Sequence, residues 1–520
     1  MRDMALNETI QQLVGYCENR GLIEAEDRAW AYNTVLDCIW AKGPAPDEPW
    51  LLADAAAEPE GFDLDAALLT LGDASVENGA EDDTASGRDR IAMRVMGALM
   101  PRTSEVCRRF GESIAGGNAR KATDDFYRTC CDAGYVRRAA ISRNVKWETA
   151  TEWGDLEITI NLSKPEKDPR EIAAAGAAKN DSEKYPACQL CIQNEGYPGR
   201  GAAADGGAHP ARQNLRIVPI ELAGERWGLQ YSPYAYFNEH CIAMSATHRP
   251  MHIDRDALEH LLDFVELLPH YFIGSNADLP IVGGSILSHD HYQGGDHEFP
   301  MMRAEVADTF CMEGFPSVSC EVLRWPLSVL RLASCDRDQL LEAAVHVIDA
   351  WRAWTDESVG VRAFEADGLP HNTVTPVVRR RGEAFECYLA LRCNVTSEEN
   401  PLGDFHPHAQ WHHIKRENIG LIEVMGLAIL PARLVSELDA VAEHLLDHSL
   451  EALDDDPASA PHAAWARSVA SAHPELDQNN ATGILHEEVG KVFDHVLEDA
   501  GVFKWDKAGR AAQKRFTDSL

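Results

Sequence analysis

The segment Gly283-Gly-Ser-Ile-Leu-Ser-His289-Asp-His291-Tyr-Gln293-Gly-Gly295 gathers two imidazoles and an amide at alternate positions between two Gly-Gly pairs. Neutral imidazole is a competent nucleophile toward phosphorus and a good leaving group in the next step. An amide beside it can donate a hydrogen bond to phosphoryl oxygens where negative charge is held in the transition state. If residues 286–293 are extended, the two-residue period puts His289, His291 and Gln293 on one side of a strand. The flanking glycines would let a bulky ligand approach the backbone. The plainer alternative is a pair of ordinary histidines near a turn. The chain has 21 histidines, and none precedes His209, so imidazole chemistry is confined to its later part.

Cys188-Gln-Leu-Cys191 has the spacing of zinc ligands. A redox pair or two buried thiols are the other readings of a lone C-x-x-C. The remaining cysteines are scattered, and an odd total of 13 fits reduced thiols in a chain with no secretory signal.

Several elements must position these residues. Residues 1–150 read as mainly helical, with Ile10, Leu13, Val14 and Cys17 at helical spacing. The acidic stretch Gly72 to Gly87 reads as an exposed loop. Alternation in 155–162 predicts a half-buried strand, and 163–181 reads as a surface excursion rich in Lys, Pro, Glu and Ala. Short strands follow within 216–245. A helix capped by Asp254 is expected to run to near Pro269, with Leu258, Leu261, Leu262 and Val265 on one face. A short strand at Leu279-Pro-Ile-Val-Gly-Gly284 then leads into the histidine segment. A helix over 338–354 and strands around 372–378 and 384–392 come next. A second histidine-rich stretch lies at 406–413, an apolar run follows it, and the chain ends in helices. This is an α+β pattern, not a regular βαβ series. The expected organisation is a helical region 1–150, a first half-domain 151–335, a second half-domain 336–435 and a C-terminal helical region 436–520.

The 18 residues Asp278-Leu-Pro-Ile-Val-Gly-Gly-Ser-Ile-Leu-Ser-His-Asp-His-Tyr-Gln-Gly-Gly295 resemble the signature of the class II galactose-1-phosphate uridylyltransferases. YPACQLCIQNEGYPGR, HPARQNLRIVPI, YSPYAYFNEHCIAM, HNTVTPVVRRRG and HPHAQWHHIKRENIGLIEVMGLAILP resemble the same family, so the likeness runs from about Leu156 to Leu434. It implies the histidine-triad fold, an antiparallel sheet with packed helices, present twice. It implies ping-pong transfer of UMP from UDP-glucose to galactose 1-phosphate, with His291 as nucleophile and Gln293 steadying the phosphoryl oxygens. By likeness to class I relatives it implies one structural zinc on Cys188, Cys191, His248 and His289. No organic cofactor is expected, and a homodimer is. His406-Pro-His408-Ala-Gln410 repeats the spacing and takes the His-Pro-His form of class I relatives, which makes His408 a rival nucleophile. Candidates for gripping phosphate and sugar are Arg212, Arg379, Arg380, His406, His408, Lys415 and Asn418.

Two neighbouring activities stay open at this point. One is a variant using N-acetylhexosamine 1-phosphates or UTP. The other is a nucleotidyl-histidine hydrolase or phosphorylase, although such relatives tend to carry a third His where this chain has Gln293. A zinc-stabilised binding protein without catalysis is a third class. Composition narrows the partners: 48 basic residues stand against 84 acidic ones, a formal charge of −36. Such a surface disfavours nucleic acid and anionic membranes. An anionic substrate would need a local basic pocket. The N-terminus does not read as a signal peptide and no long apolar run is present, which makes the cytoplasm the expected location.

Overall fold

The computed structural model describes residues 2–53, 60–163, 185–201, 204, 207–284 and 286–520. The surface excursion expected at 163–181 lies outside the described residues from 164 onward. The chain divides into two compact units. The first comprises Met1–Ser142, Ser163–Ala235 and Glu239–Arg249; the second comprises Arg143–Leu162, Tyr236–Asn238 and Pro250–Leu520.

Helices dominate the first unit. Arg2–Asn19, Arg28–Cys38, Leu64–Glu77 and Ala85–Ala98 pack around Ile10, Leu13, Val14, Tyr32, Val35, Leu71, Ile91 and Val95, all buried. Asp63 and Thr84 cap two of these helices by accepting from the Ala66 and Gly87 N–H groups. The expected loop at 72–87 is therefore shorter: helix runs to Glu77 because Leu68, Leu71 and Ser75 bury one face of it. Strands Val218–Leu222, Glu225–Tyr231 and Cys241–Ser245 pair antiparallel in the same unit, within the 216–245 segment where short strands are expected.

The second unit holds two groups of strands. Val145–Thr151 and Gly154–Asn161 form a hairpin, and Leu427–Pro431 pairs parallel to its second strand. The larger group is antiparallel throughout. It runs from His291–Gly295 through Phe272–Gly274, Asn372–Arg381, Ala384–Cys393, Val329–Ser334 and Ser319–Leu323 to Val306–Phe310. Helices Arg255–Leu267 and Arg337–Arg352 pack against it. Asp254 caps the first by accepting from Ala257 N–H, as its sequence announced. Trp351 of the second is wholly buried, and its indole N–H donates to the Thr373 carbonyl at 2.9 Å. Of the C-terminal helices, Ala481–Ala500 sends Val489, Phe493, Val496 and Leu497 into the same core as the parallel-paired hairpin. The α+β class is what the chain adopts.

Two local expectations fail around the histidines. The stretch 279–284 is not a strand: it turns at Ile281, in the left-handed region at φ 75°, and closes with a bridge between Ala277 and Gly283. Residues 286–290 are not extended either. Ile286 takes φ 66°, His289 N–H points back to the Ile286 carbonyl, and the strand begins only at His291. Close packing drives this turn. A Cβ on Gly284 would sit 2.3 Å from the Asn276 amide, so the chain passes where only glycine fits.

Candidate active site

Alternation along His291–Gly295 sorts its side chains. Tyr292 faces the helical layer, with its hydroxyl 3.0 Å from His260 Nδ1 on helix Arg255–Leu267. His291 and Gln293 therefore share the opposite face. His289, in the turn before the strand, does not join them by alternation. It contributes its backbone instead: His291 Nδ1 lies 2.7 Å from the His289 carbonyl oxygen. A carbonyl only accepts, so Nδ1 carries the proton and Nε2 carries the lone pair. His291 is buried, and burial pushes its pKa down to about 4, so the ring is neutral near pH 7.

The loop 276–284 that feeds this turn is held from several directions. Asp278 accepts from Ile253 N–H at 3.0 Å, from Arg352 at 3.2 Å and from the Thr373 hydroxyl. Asn394 donates to the Pro280 carbonyl. Asn276 accepts from Leu421 N–H at 2.8 Å. Asn418 donates to the Gly283 carbonyl at 3.3 Å, and its oxygen faces His406 Nε2 at 3.2 Å. Thus the second histidine segment reaches the first through one asparagine.

That second segment is not a structural copy of the first. His406–His408 lie in irregular chain ahead of a single 3-10 turn, Ala409–Trp411, whereas His291 opens a strand. His408 Nδ1 faces the Asp499 carboxylate at 3.2 Å and its Nε2 faces the Asp404 carbonyl at 3.3 Å. Neither nitrogen presents a lone pair free of an acceptor. His406 is buried, which holds its pKa below the ordinary histidine value.

The remaining basic candidates are engaged elsewhere. Lys415 is buried and ion-paired to Glu423. Arg379 pairs with Glu386 at 2.8 Å and Glu298 at 2.7 Å, and burial notwithstanding, those acids and Tyr388 hold its pKa above the usual arginine value. Its strand register sets it level with Phe272 and hence Gly295, at the end of the strand away from His291. Arg380 stacks over Phe385 and donates to the Glu383 carbonyl. In the first unit, Arg212 is buried, lies over the Tyr135 ring and donates to the Ala211 carbonyl.

The first unit also carries a cluster able to hold a metal ion. Cys188 and Cys191 place their sulfurs 3.6 Å apart, and His248 Nδ1 lies 3.2 Å from Cys191 Sγ. Two thiolates on one tetrahedral zinc, each at ~2.3 Å, sit at about this spacing. His289 belongs to the second unit and is 1% exposed. The sequence singles out neither Asn276 nor Asp278 as an individual residue. Only Asp278 had a signal, its place at the head of the 18-residue match.

Residues 64–250 match the family model for the galactose-1-phosphate uridyl transferase N-terminal domain, and residues 264–466 match that for its C-terminal domain. The chain belongs to the galactose-1-phosphate uridyl transferase family. Among curated relatives, the galactose-1-phosphate uridylyltransferase of Bacillus subtilis is 45% identical over 519 residues, covering 99% of this chain and 98% of that protein. That of Halalkalibacterium halodurans is 47% identical over 513 residues, covering 98% of each. A solved yeast Ap4A phosphorylase, Apa2, aligns with 60% of this chain and 90% of its own at 12% identity, with a TM-score of 0.31. That likeness is too distant to bear on the fold. Membership makes the chain a transferase of the galactose-1-phosphate uridyl transferase family, and among the described residues no helix is long and apolar enough to cross a membrane.

Proposed function

We propose that this transferase exchanges UMP between UDP-glucose and galactose 1-phosphate through a uridylyl group carried on His291. The His291 Nε2 lone pair attacks the α-phosphorus of UDP-glucose. The P–N bond forms, the bond to the bridging oxygen breaks, and glucose 1-phosphate leaves. A phosphate oxygen of galactose 1-phosphate then attacks the same phosphorus, the P–N bond breaks, and UDP-galactose departs. Gln293, on the same face two residues on, donates to the non-bridging oxygens as charge builds.

One observation carries the assignment: the His291 ring is fixed by the His289 carbonyl so that Nε2 is the free, neutral nitrogen. His408, the rival, has an acceptor at each nitrogen. The names of the two relatives above, both galactose-1-phosphate uridylyltransferases, support the substrate pair. Gln293 in place of a third histidine favours transfer over hydrolysis.

Zinc on Cys188, Cys191 and His248, with His289 as fourth ligand, belongs to the same reading. The thiol and imidazole spacings support it. Such an ion would pin the turn that ends in His291 and would supply rigidity, not a reacting group. The phosphate-gripping roles of Arg212, Arg379, Arg380, His406, His408 and Lys415 draw less support, because each side chain already has a polar partner within the chain. A homodimer in the cytoplasm completes the proposal, and the 13 free thiols accord with a reducing compartment.

Isotope exchange tests the transfer. Labelled glucose 1-phosphate should enter UDP-glucose with no galactose 1-phosphate present. Absence of that exchange, with net turnover intact, would replace the two-step route by direct transfer.

A further inference from the structure

Arg392 is the anomaly of the second unit. It sits on strand Ala384–Cys393 and is 1% exposed, among the largest fully buried side chains. Burying a guanidinium is costly unless an acid and a full set of hydrogen bonds offset it. Arg392 has neither. Its Nη1 donates to the Ile419 carbonyl at 2.9 Å and reaches the Thr375 hydroxyl at 3.4 Å. Its Nε has no partner. Among the described residues no carboxylate lies within ion-pair distance of it. The acid whose charge reaches it, Glu423, is taken up by Lys415 and by the Gly420 N–H at 2.9 Å. Burial pulls the Arg392 pKa down only to about 10, so the charge persists at neutral pH.

The position of this charge is informative. Ile419 follows Asn418, which spans His406 and the Gly283 carbonyl, and it precedes Gly420 and Leu421, whose N–H donates to Asn276. Arg392 therefore lies directly beneath the segment that grips the loop before His291. Its field is felt at His406, where it adds to burial in disfavouring the imidazolium. A chain of formal charge −36 repels sugar phosphates at long range. It needs a local cation that its own acids have not neutralised.

We propose that Arg392 is the built-in countercharge for the phosphate of the substrate: a guanidinium left unpaired within the fold so that the bound phosphate, not a carboxylate, completes its neutralisation. It acts through the field and through the Ile419 carbonyl it holds, without touching the reacting atoms, and so is a positioning residue. This rests on the phosphate-bearing substrates of the proposed function.

The test compares a charged and a neutral ligand of the same site. Wild type, Arg392→Met and Arg392→Lys are titrated calorimetrically with UMP and with uridine. The account expects the preference for UMP over uridine to fall by roughly tenfold or more in Arg392→Met, the loss of one charge interaction, and to stay within about threefold of wild type in Arg392→Lys. It also expects the melting temperature of Arg392→Met not to fall, since an apolar side chain of similar length removes an uncompensated buried charge. A residue that served packing alone would weaken both ligands equally or destabilise the protein without changing their ratio. An unchanged UMP-to-uridine ratio in Arg392→Met overturns the proposal whatever its melting temperature. Failure of the transfer reading shows separately, as a wild type that binds UMP but forms no covalent adduct from UDP-glucose.

Discussion

His291 donates its Nδ1 proton to the main-chain carbonyl of His289 across 2.7 Å, two residues back along its own chain. The contact needs the turn that precedes the strand. An extended 286–293 would carry the His289 carbonyl sideways into strand pairing and leave the ring without its anchor. The turn thus does for His291, the proposed nucleophile, what a carboxylate does in other histidine-dependent sites: it fixes the tautomer and the ring plane.

If Gln293 steadies charge on the phosphoryl oxygens, its loss should appear in the rate and not in binding. Gln293→Ala is expected to slow formation of the uridylyl-enzyme by about a hundredfold, the usual cost of one transition-state donor, while the KM for UDP-glucose stays within a few-fold. Single-turnover kinetics resolve the two. A KM rise with an unchanged rate would reassign Gln293 to ground-state binding.

Zinc should be measurable directly. Purified protein is expected to carry close to one equivalent of zinc. Cys191→Ser, which removes the sulfur 3.2 Å from His248 Nδ1, should lose it and melt at a lower temperature. Wild-type protein that is zinc-free, active and indifferent to chelators would leave the cluster as two thiols beside an imidazole.

Asp494 predicts a pH dependence of stability. Burial first, then the charge of Glu498, raises its pKa to about 7. A carboxyl whose folded pKa lies above its unfolded value holds its proton more tightly when folded. Its favourable contribution is complete below about pH 4 and is lost as pH rises through about 7. Asp494→Asn removes that loss. The melting-temperature advantage of the variant over wild type should be small at pH 5 and grow toward pH 8. An advantage that is flat or shrinks with rising pH would contradict the assignment.

Much of the fold was legible because its elements follow local rules. Asp254 announced its helix by capping chemistry, and the strands at 218–222, 225–231 and 241–245 fall on short apolar, strand-like runs. The turn at 286–290 was not legible. Ile286 and Leu287 read as extended chain, and the left-handed Ile286 answers to packing around Gly284 and Asn276, which sequence does not reveal. Helix through Leu71 and Ser75 was missed for a similar reason: the acidic composition of 72–87 masked a face buried by tertiary contact. Spacing and resemblance single out His291 as the proposed nucleophile. They do not give the structural reason for preferring it to His408, because Asp499 is 91 residues from His408 along the chain. Arg392 gave no sign, since a lone arginine on an apolar strand becomes unusual only when the absence of a partner can be seen.

The most direct test of His291 as the uridylyl carrier is intact mass after mixing with UDP-glucose alone, for wild type, His291→Ala and His408→Ala. A gain of one uridylyl group is expected in wild type and in His408→Ala, and no gain in His291→Ala. A gain that persists in His291→Ala and vanishes in His408→Ala would contradict the account.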